Sequence, residues 1–172
     1  MTQDAPLTLT VRAATREDRS VVEAFGAALQ EFERKMRPSR RPGPEMKREY
    51  VEMLFHRVTH QNGAIFLAEA DGSPVGYLAC HIDEDVLEQI RAELVVSDVW
   101  VAPKMRSRGV FRALISAAQE HARAVGVSRI VVSTLFQNED ACAAYKSLGF
   151  RRVMLTFECN LEARDDSQPA TA

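Results

Sequence analysis

The sequence predicts one α/β domain, a mixed sheet layered with helices, spanning residues 1–172. Three observations predict it. Stretches of period-2 alternation follow stretches of period-3.6 apolar spacing along the chain. Turn signals such as Asp71-Gly72, Gly126 and Gly149 separate them. The 172 residues, 46% hydrophobic and 27% charged, suit a single globular core. The ordered part is expected over about 7–162, with frayed residues before it and a flexible tail from Arg164 (RDDSQPATA).

The elements follow in order. LTLTVRA (7–13) alternates apolar and polar, as a half-buried strand does. Thr15 and Asp18 have capping-box spacing, with Asp in the place of Glu. Val21, Phe25, Ala28, Leu29 and Phe32 then share one helical face. RPSRRPGP, from Arg37 to Pro44, reads as an exposed loop. Met46, Tyr50, Met53, Leu54 and Val58 mark a second helix ending near Asn62-Gly63. AIFLAEA (64–70) and PVGYLACHI (74–82) flank Asp71-Gly72 as a hairpin. Residues 84–92 are acidic and carry no periodic signal. AELVVSDVWVA (92–102) is a Val-rich strand stopped by Pro103. Phe111, Leu114, Ile115, Ala118 and Ala122 define a third helix that stops at Gly126. RIVVSTL (129–135) is an apolar strand of the kind buried between helices. Asn138 caps a short helix with Tyr145 and Leu148, closed by Gly149. A last strand over 151–161 puts Val153, Leu155, Phe157, Cys159 and Leu161 on one face.

Composition excludes several classes. The formal charge of -2 argues against wholesale nucleic-acid binding. No apolar run reaches the ~18 residues of a membrane span, and no secretory leader follows Met1. Cys80, Cys142 and Cys159 show no CxxC spacing, so neither a disulfide framework nor a Cys-based metal site is expected. A reducing cytoplasm fits.

The stretch MRSRGVFRAL (105–114) joins a strand end to a helix start. A helix N-terminus leaves unpaired N–H groups and carries partial positive charge, which suits phosphate. Gly109 allows close backbone approach, Arg106 and Arg108 add charge, and Ser107 adds a hydroxyl. A solvated surface turn is the alternative. The run is neither a P-loop nor a GxGxxG fingerprint. Its spacing is Arg-x-x-Gly-x-Phe.

VWVAPKMRSRGVFRALISAAQEHA with RIVVSTLFQNEDACAAYKSLGF resembles the GCN5-related N-acetyltransferases. Arg106, Gly109 and Phe111 stand in that family's [Gln/Arg]-x-x-Gly-x-[Gly/Ala] pattern. Asn138, Ala141, Tyr145, Gly149 and Phe150 stand in its Asn-x-x-Ala-x-x-x-Tyr-x-x-x-Gly-Phe pattern. The resemblance implies a mixed, mostly antiparallel sheet of six to seven strands flanked by about four helices. It implies acetyl-CoA as co-substrate. Backbone amides of Arg106, Ser107, Arg108, Gly109, Val110 and Phe111 would bind the pyrophosphate. Pantetheine would insert beside a bulged fourth strand along Trp100, Val101 and Ala102, with Asn138 and Tyr145 also at the cofactor. Phe111 departs from the small residue usual there. Its ring must point to the core or lie along pantetheine.

An amine attacks a thioester only when unprotonated, and a free alkylamine has a pKa of ~10, so a base is required. Glu93 and Asp98 are the candidates on the strand before the loop. Positions five apart face opposite ways unless a bulge intervenes. Ser97 and Ser133 are weaker polar candidates. The resemblance makes Tyr145 the acid that serves the leaving thiolate; a packed sheet aromatic is the alternative. His56 and His60 are spaced i, i+4 but lack a HExxH glutamate or a third ligand, so no metal is expected. Cys80 and Cys142 read as packed thiols. Arg37, Arg40 and Arg41 would favour an anionic acceptor if they wall the site, and otherwise form a solvated loop. The expected activity is acetyl transfer from acetyl-CoA to a small-molecule amine by direct attack. A peptide or protein amine acceptor and a non-catalytic CoA-binding module are the alternatives. No nucleic-acid or membrane partner is expected, and a homodimer through an exposed last strand is one expected arrangement.

Overall fold

The computed structural model describes residues 8–159. Five strands form one sheet in sequence order, β1 to β5. β1 (Leu9–Ala13), β2 (Ala64–Ala70), β3 (Ser73–Glu84) and β4 (Ala92–Val101) pair antiparallel, and β5 (Ile130–Val132) runs parallel to β4. The parallel step is made by a helical crossover, as it must be.

The helices cover both faces. α1 (Arg19–Arg34) and α2 (Gly43–His60) lie on one. There Val22, Val51, Leu54 and Phe55 bury against Ile65, Leu67, Tyr77, Ala79 and Trp100. α3 (Val110–Ala124) and α4 (Glu139–Ser147) serve the other. Their Leu114, Ile115, Ala118 and Tyr145 meet Ala68, Leu78, Leu94 and Val96. Period-2 alternation along β3 sends Tyr77 to the first face and Leu78 to the second. Thr15 and Asp18 form the expected capping box, and Arg12 grips the same carboxylate with two bonds of 2.8 Å.

Three expectations change. α2 begins at Gly43 rather than after Pro44, because Pro44 in the first turn needs no N–H partner. β5 covers only 130–132, and all three residues are half-buried. Among the described residues β4 is its one partner, so there it is an edge strand and not a strand buried between helices as its apolar run suggests. Residues 151–159 adopt no strand, and Val153, Leu155 and Phe157 are exposed. Alternation describes a strand's two faces but does not supply the neighbour that makes it one. The described residues therefore form a sheet of five strands where six to seven were expected. Leu161 lies outside the described residues, as do the first residues and the tail from Arg164. Among the described residues, no helix is long and apolar enough to cross a membrane.

Candidate functional site

The site is set by where β4 leaves its two neighbours' rhythm. Against β3, Ala79 faces Asp98 while Cys80 faces Val96. Ser97 is thus an extra residue, a β-bulge. Against β5, pairing stops at Val96 and Val132. Beyond this point, among the described residues, no strand pairs with β4 on that side through Trp100 and Val101.

The bulge changes which face each side chain meets. Leu94 and Val96 point to α3, so regular alternation would send Asp98 there too. Instead Ser97 and Asp98 both turn toward α2. Asp98 Oδ1 accepts from the Tyr50 hydroxyl at 2.7 Å, and Oδ2 accepts from Tyr77 at 2.6 Å. The carboxyl is 8% exposed. Burial raises its pKa above the ordinary 3.8, against the opposite pull of the two phenols and of Arg40 and Arg57. Burial and Asp98 together push both tyrosines up, so they remain donors.

Beside it, the Arg57 guanidinium donates to Ser97 Oγ at 3.0 Å, and Ser97 lies 3.0 Å from His81 Nδ1. Burial, with Arg57 nearby, lowers the His81 pKa. A neutral imidazole accepting from Ser97 satisfies the group. Sequence reasoning missed Tyr50, Tyr77, Arg57 and His81 as parts of this network. Tyr50 reads there as one apolar position of α2, and the bulge that aims Asp98 at it has no sequence signature.

Glu93 is placed differently. It lies near the start of β4, 3.1 Å from Arg129, which also donates to Glu88 at 3.0 Å. The two carboxylates are not brought together: Asp98 is held by phenols, and Glu93 is in a half-buried ion pair with Arg129.

The loop after β4 begins with a 3-10 turn over Pro103–Met105. Ser107 has φ 61° and Gly109 φ 85°. Gly109 precedes α3 in the left-handed region, and no side chain caps the helix. The first intrahelical bond is Ala113 N–H to Gly109 O at 3.0 Å. The amides of Val110, Phe111 and Arg112 therefore have no i−4 carbonyl. A phosphate group fits such an end, with Arg108 exposed beside it. The Arg106 side chain is otherwise engaged. Its guanidinium lies 5.0 Å from the Trp100 ring centre and 5.2 Å from Phe32, and Nε donates to Val101 O at 3.3 Å. It pins the loop to β4 and α1 by cation–π contact.

Phe111 turns inward. Its ring meets Tyr145 edge-on at 5.3 Å, and Phe150 meets the other side of Tyr145 at 5.5 Å. Tyr145 is buried, which raises its pKa, with the Asp98 charge adding to the effect. Asn138 caps α4 by accepting from Ala141 N–H at 3.2 Å. A cleft lies between the end of α1, at Phe32 and Met36, and Gln137, Asn138, Glu139 and Asp140 before and within α4.

The other clusters are occupied or inert. Arg37 pairs with Glu158, Arg40 with Glu33 at 3.0 Å, and Arg41 with Glu49 at 3.0 Å. The arginine wall is thus neutralised by its own chain. Burial pushes the Cys80 thiol up to about 12, and a protonated thiol is a poor nucleophile. The His56 and His60 rings lie 4.3 Å apart, tilted by 37°. Among the described residues no three His, Cys, Asp or Glu side chains gather as a metal site.

Comparison with known proteins identifies the family and the fold. The sequence model of the Acetyltransferase (GNAT) family matches residues 27–150. An uncharacterized N-acetyltransferase of Methanocaldococcus jannaschii is 28% identical over 144 residues, 83% of this chain and 61% of that protein. An aminoglycoside N(6')-acetyltransferase type 1 of Stenotrophomonas maltophilia is 29% identical over 103 residues, 58% of this chain and 67% of its own. The chain thus spans about two thirds or less of the curated relatives it matches. The solved aminoglycoside N-acetyltransferase AAC(6')-Iy in complex with CoA superposes with a TM-score of 0.71 at 18% identity, over 94% of this chain and all of that one.

Proposed function

We propose, on the premise that this chain belongs to the Acetyltransferase (GNAT) family, that it moves an acetyl group from acetyl-CoA to the primary amine of a small molecule. The observation that carries the reading is the parting of β4 from β5 at Val96, one residue before a bulge that buries a doubly hydrogen-bonded acid. A strand with one open side can pair with an extended amide-bearing chain, as pantetheine is. Trp100, Val101 and Ala102 offer that backbone. The uncapped amides from Gly109 through Phe111, with Ser107 and the charge of Arg108, suit a pyrophosphate. Arg106 acts by holding the loop in place. Bound acetyl-CoA supplies the activated acyl group.

The residues of this chain then have distinct tasks. Asp98 receives the proton of the attacking amine, directly or through the half-buried Tyr50 hydroxyl. Its raised pKa brings it nearer the operating pH, where a general base works best. Tyr145 donates to the departing sulfur; its raised pKa keeps the phenol protonated for this. Glu93, engaged by Arg129, is left to structure.

An amine acceptor is supported by the cleft lining, which carries Glu139 and Asp140, and by the internal pairing of the loop arginines. The aminoglycoside acetyltransferases among its relatives point to acceptors rich in amino groups. The test is thiol release from acetyl-CoA across a panel of small amines, amino acids and peptides. Turnover of a small amine well above all peptides is expected. Faster turnover of peptides would overturn the acceptor class. Absence of any melting-temperature rise with saturating acetyl-CoA would overturn the co-substrate, since a ligand at 100 times its Kd stabilises by about 2.7 kcal/mol.

A further inference from the structure

We infer that Ser97, Arg57 and His81 are positioning residues, which together hold the bulge of β4 in the one phase that turns Asp98 toward Tyr50. The inference rests on the reading of Asp98 as general base and names what keeps that base in place.

The phase of β4 changes at the bulge. Before it, Leu94 and Val96 face α3; after it, Trp100 faces α1 and α2 while Val101 faces α3. Ser97 and Asp98 are neighbours in sequence, yet both face α2. A regular strand cannot do this. In the regular register, one residue away, Asp98 and Trp100 would both lie under α3. The bulged register therefore needs bonds that the regular one lacks.

Two elements supply them in matched pairs. Tyr50 and Arg57 lie seven apart on α2, hence on one helix face. Tyr77 and His81 lie four apart on β3, hence on one sheet face. Each bulge residue is held once from α2 and once from β3. Asp98 accepts from Tyr50 at 2.7 Å and from Tyr77 at 2.6 Å. Ser97 accepts from Arg57 at 3.0 Å, and its own proton points to His81 Nδ1 at 3.0 Å. The hydroxyl is thus used as acceptor and as donor. His81 is 6% exposed, so losing Ser97 would leave a buried nitrogen unpaired, at a cost well above the bond's net worth.

The two halves of this arrangement respond differently to catalysis. When Asp98 takes up a proton, the bonds from its phenols lose their charge assistance. The bonds of Ser97 do not change. The strand thus stays in phase while the base is loaded and unloaded.

Two measurements on the full chain test this. One is thiol release from acetyl-CoA with the fastest acceptor of the amine panel. The other is the titration of the Asp98 carboxyl by heteronuclear NMR, which needs no acceptor. Ser97→Ala should lose about 10²-fold in kcat, the cost of a small misplacement of a reacting group. Its circular dichroism and acetyl-CoA affinity should match the wild type. Its Asp98 should titrate closer to the ordinary 3.8, because a carboxyl no longer held beneath α2 meets more water. Ser97→Thr keeps the hydroxyl and should recover most of both. His81→Leu should behave as Ser97→Ala, whereas His81→Asn, whose Oδ1 can accept the same proton, should stay near wild type. A folded Ser97→Ala with wild-type kcat and Asp98 titration overturns the inference, even where Asp98→Asn is inactive. So does a Ser97→Thr no better than Ser97→Ala. Full turnover in Asp98→Asn would instead remove the base assignment, and the titration would still decide whether Ser97 sets the place of the carboxyl.

Discussion

The two faces of the sheet are built on different principles. Under α3 and α4 the core is apolar throughout, from Ala68 and Leu78 to Leu114 and Ile115. Tyr145 brings a hydroxyl there, but its ring is fixed by Phe111 and Phe150. Under α1 and α2 the same sheet buries Asp98, His81 and Gln30. Each is satisfied: two phenols for Asp98, Ser97 for His81, and the Arg41 carbonyl for Gln30 at 2.8 Å. One face fixes geometry around a single tyrosine hydroxyl, and the other holds a network of polar groups at the cost of burying them. Substitutions of the groups that carry protons should therefore change rate more than stability, and substitutions of the apolar groups that hold them in place the reverse.

The largest effect is expected at Asp98→Asn. Turnover should fall by about 10²–10⁴, the usual contribution of a general base. A thiol-release rate within a few-fold of wild type would remove Asp98 from that role. Stability should move the other way. Asp98 binds its proton more tightly folded than unfolded, because its folded pKa is raised. It is neutral and harmless below the unfolded value near 3.8 and becomes a buried charge as pH rises through the folded value. Denaturant titrations should find the Asp98→Asn variant gaining on the wild type as pH climbs through that window.

Tyr145→Phe comes next, with kcat lower by about 10²-fold, the low end of acid–base catalysis, and CoA affinity unchanged. The ring stays packed, so the melting temperature should barely shift. Phe111→Ala tests the apolar side of the comparison. Removing a half-buried ring that props Tyr145 should cost about 2 kcal/mol by denaturant unfolding, less than the 3–5 kcal/mol of a fully buried one. Gly109→Ala is the mildest. A Cβ there meets nothing within 4 Å, but φ of 85° is strained for alanine. A loss of about 1 kcal/mol is expected, along with weaker acetyl-CoA binding by calorimetry.

The sequence made these two faces unequally legible. The α3–α4 face is local: Arg106, Gly109, Asn138, Tyr145 and Gly149 stand at fixed spacings along one stretch, and helix caps and periodicity follow from them. The α1–α2 face depends on one extra residue. Without the bulge at Ser97, strict alternation puts Asp98 under α3, and the Tyr50 partner 48 positions away has no pattern to announce it. The same limit explains the last strand. Val153, Leu155 and Phe157 alternate correctly, yet pairing is a property of two segments, and local sequence reports only one. The arginines at 37, 40 and 41 stay open between two readings for a third reason. Charge is visible in sequence, but its neutralisation by Glu158, Glu33 and Glu49 is long-range or conformational.

Trp100 is the one tryptophan of the chain, and it lies under the Arg106 guanidinium at the root of the phosphate-facing loop. An indole's emission responds to a nearby cation and to water. The fold thus carries its own optical gauge at the place where a co-substrate would arrive. Any ligand that draws Arg106 away from the ring should alter that emission, whether or not an acceptor amine is present.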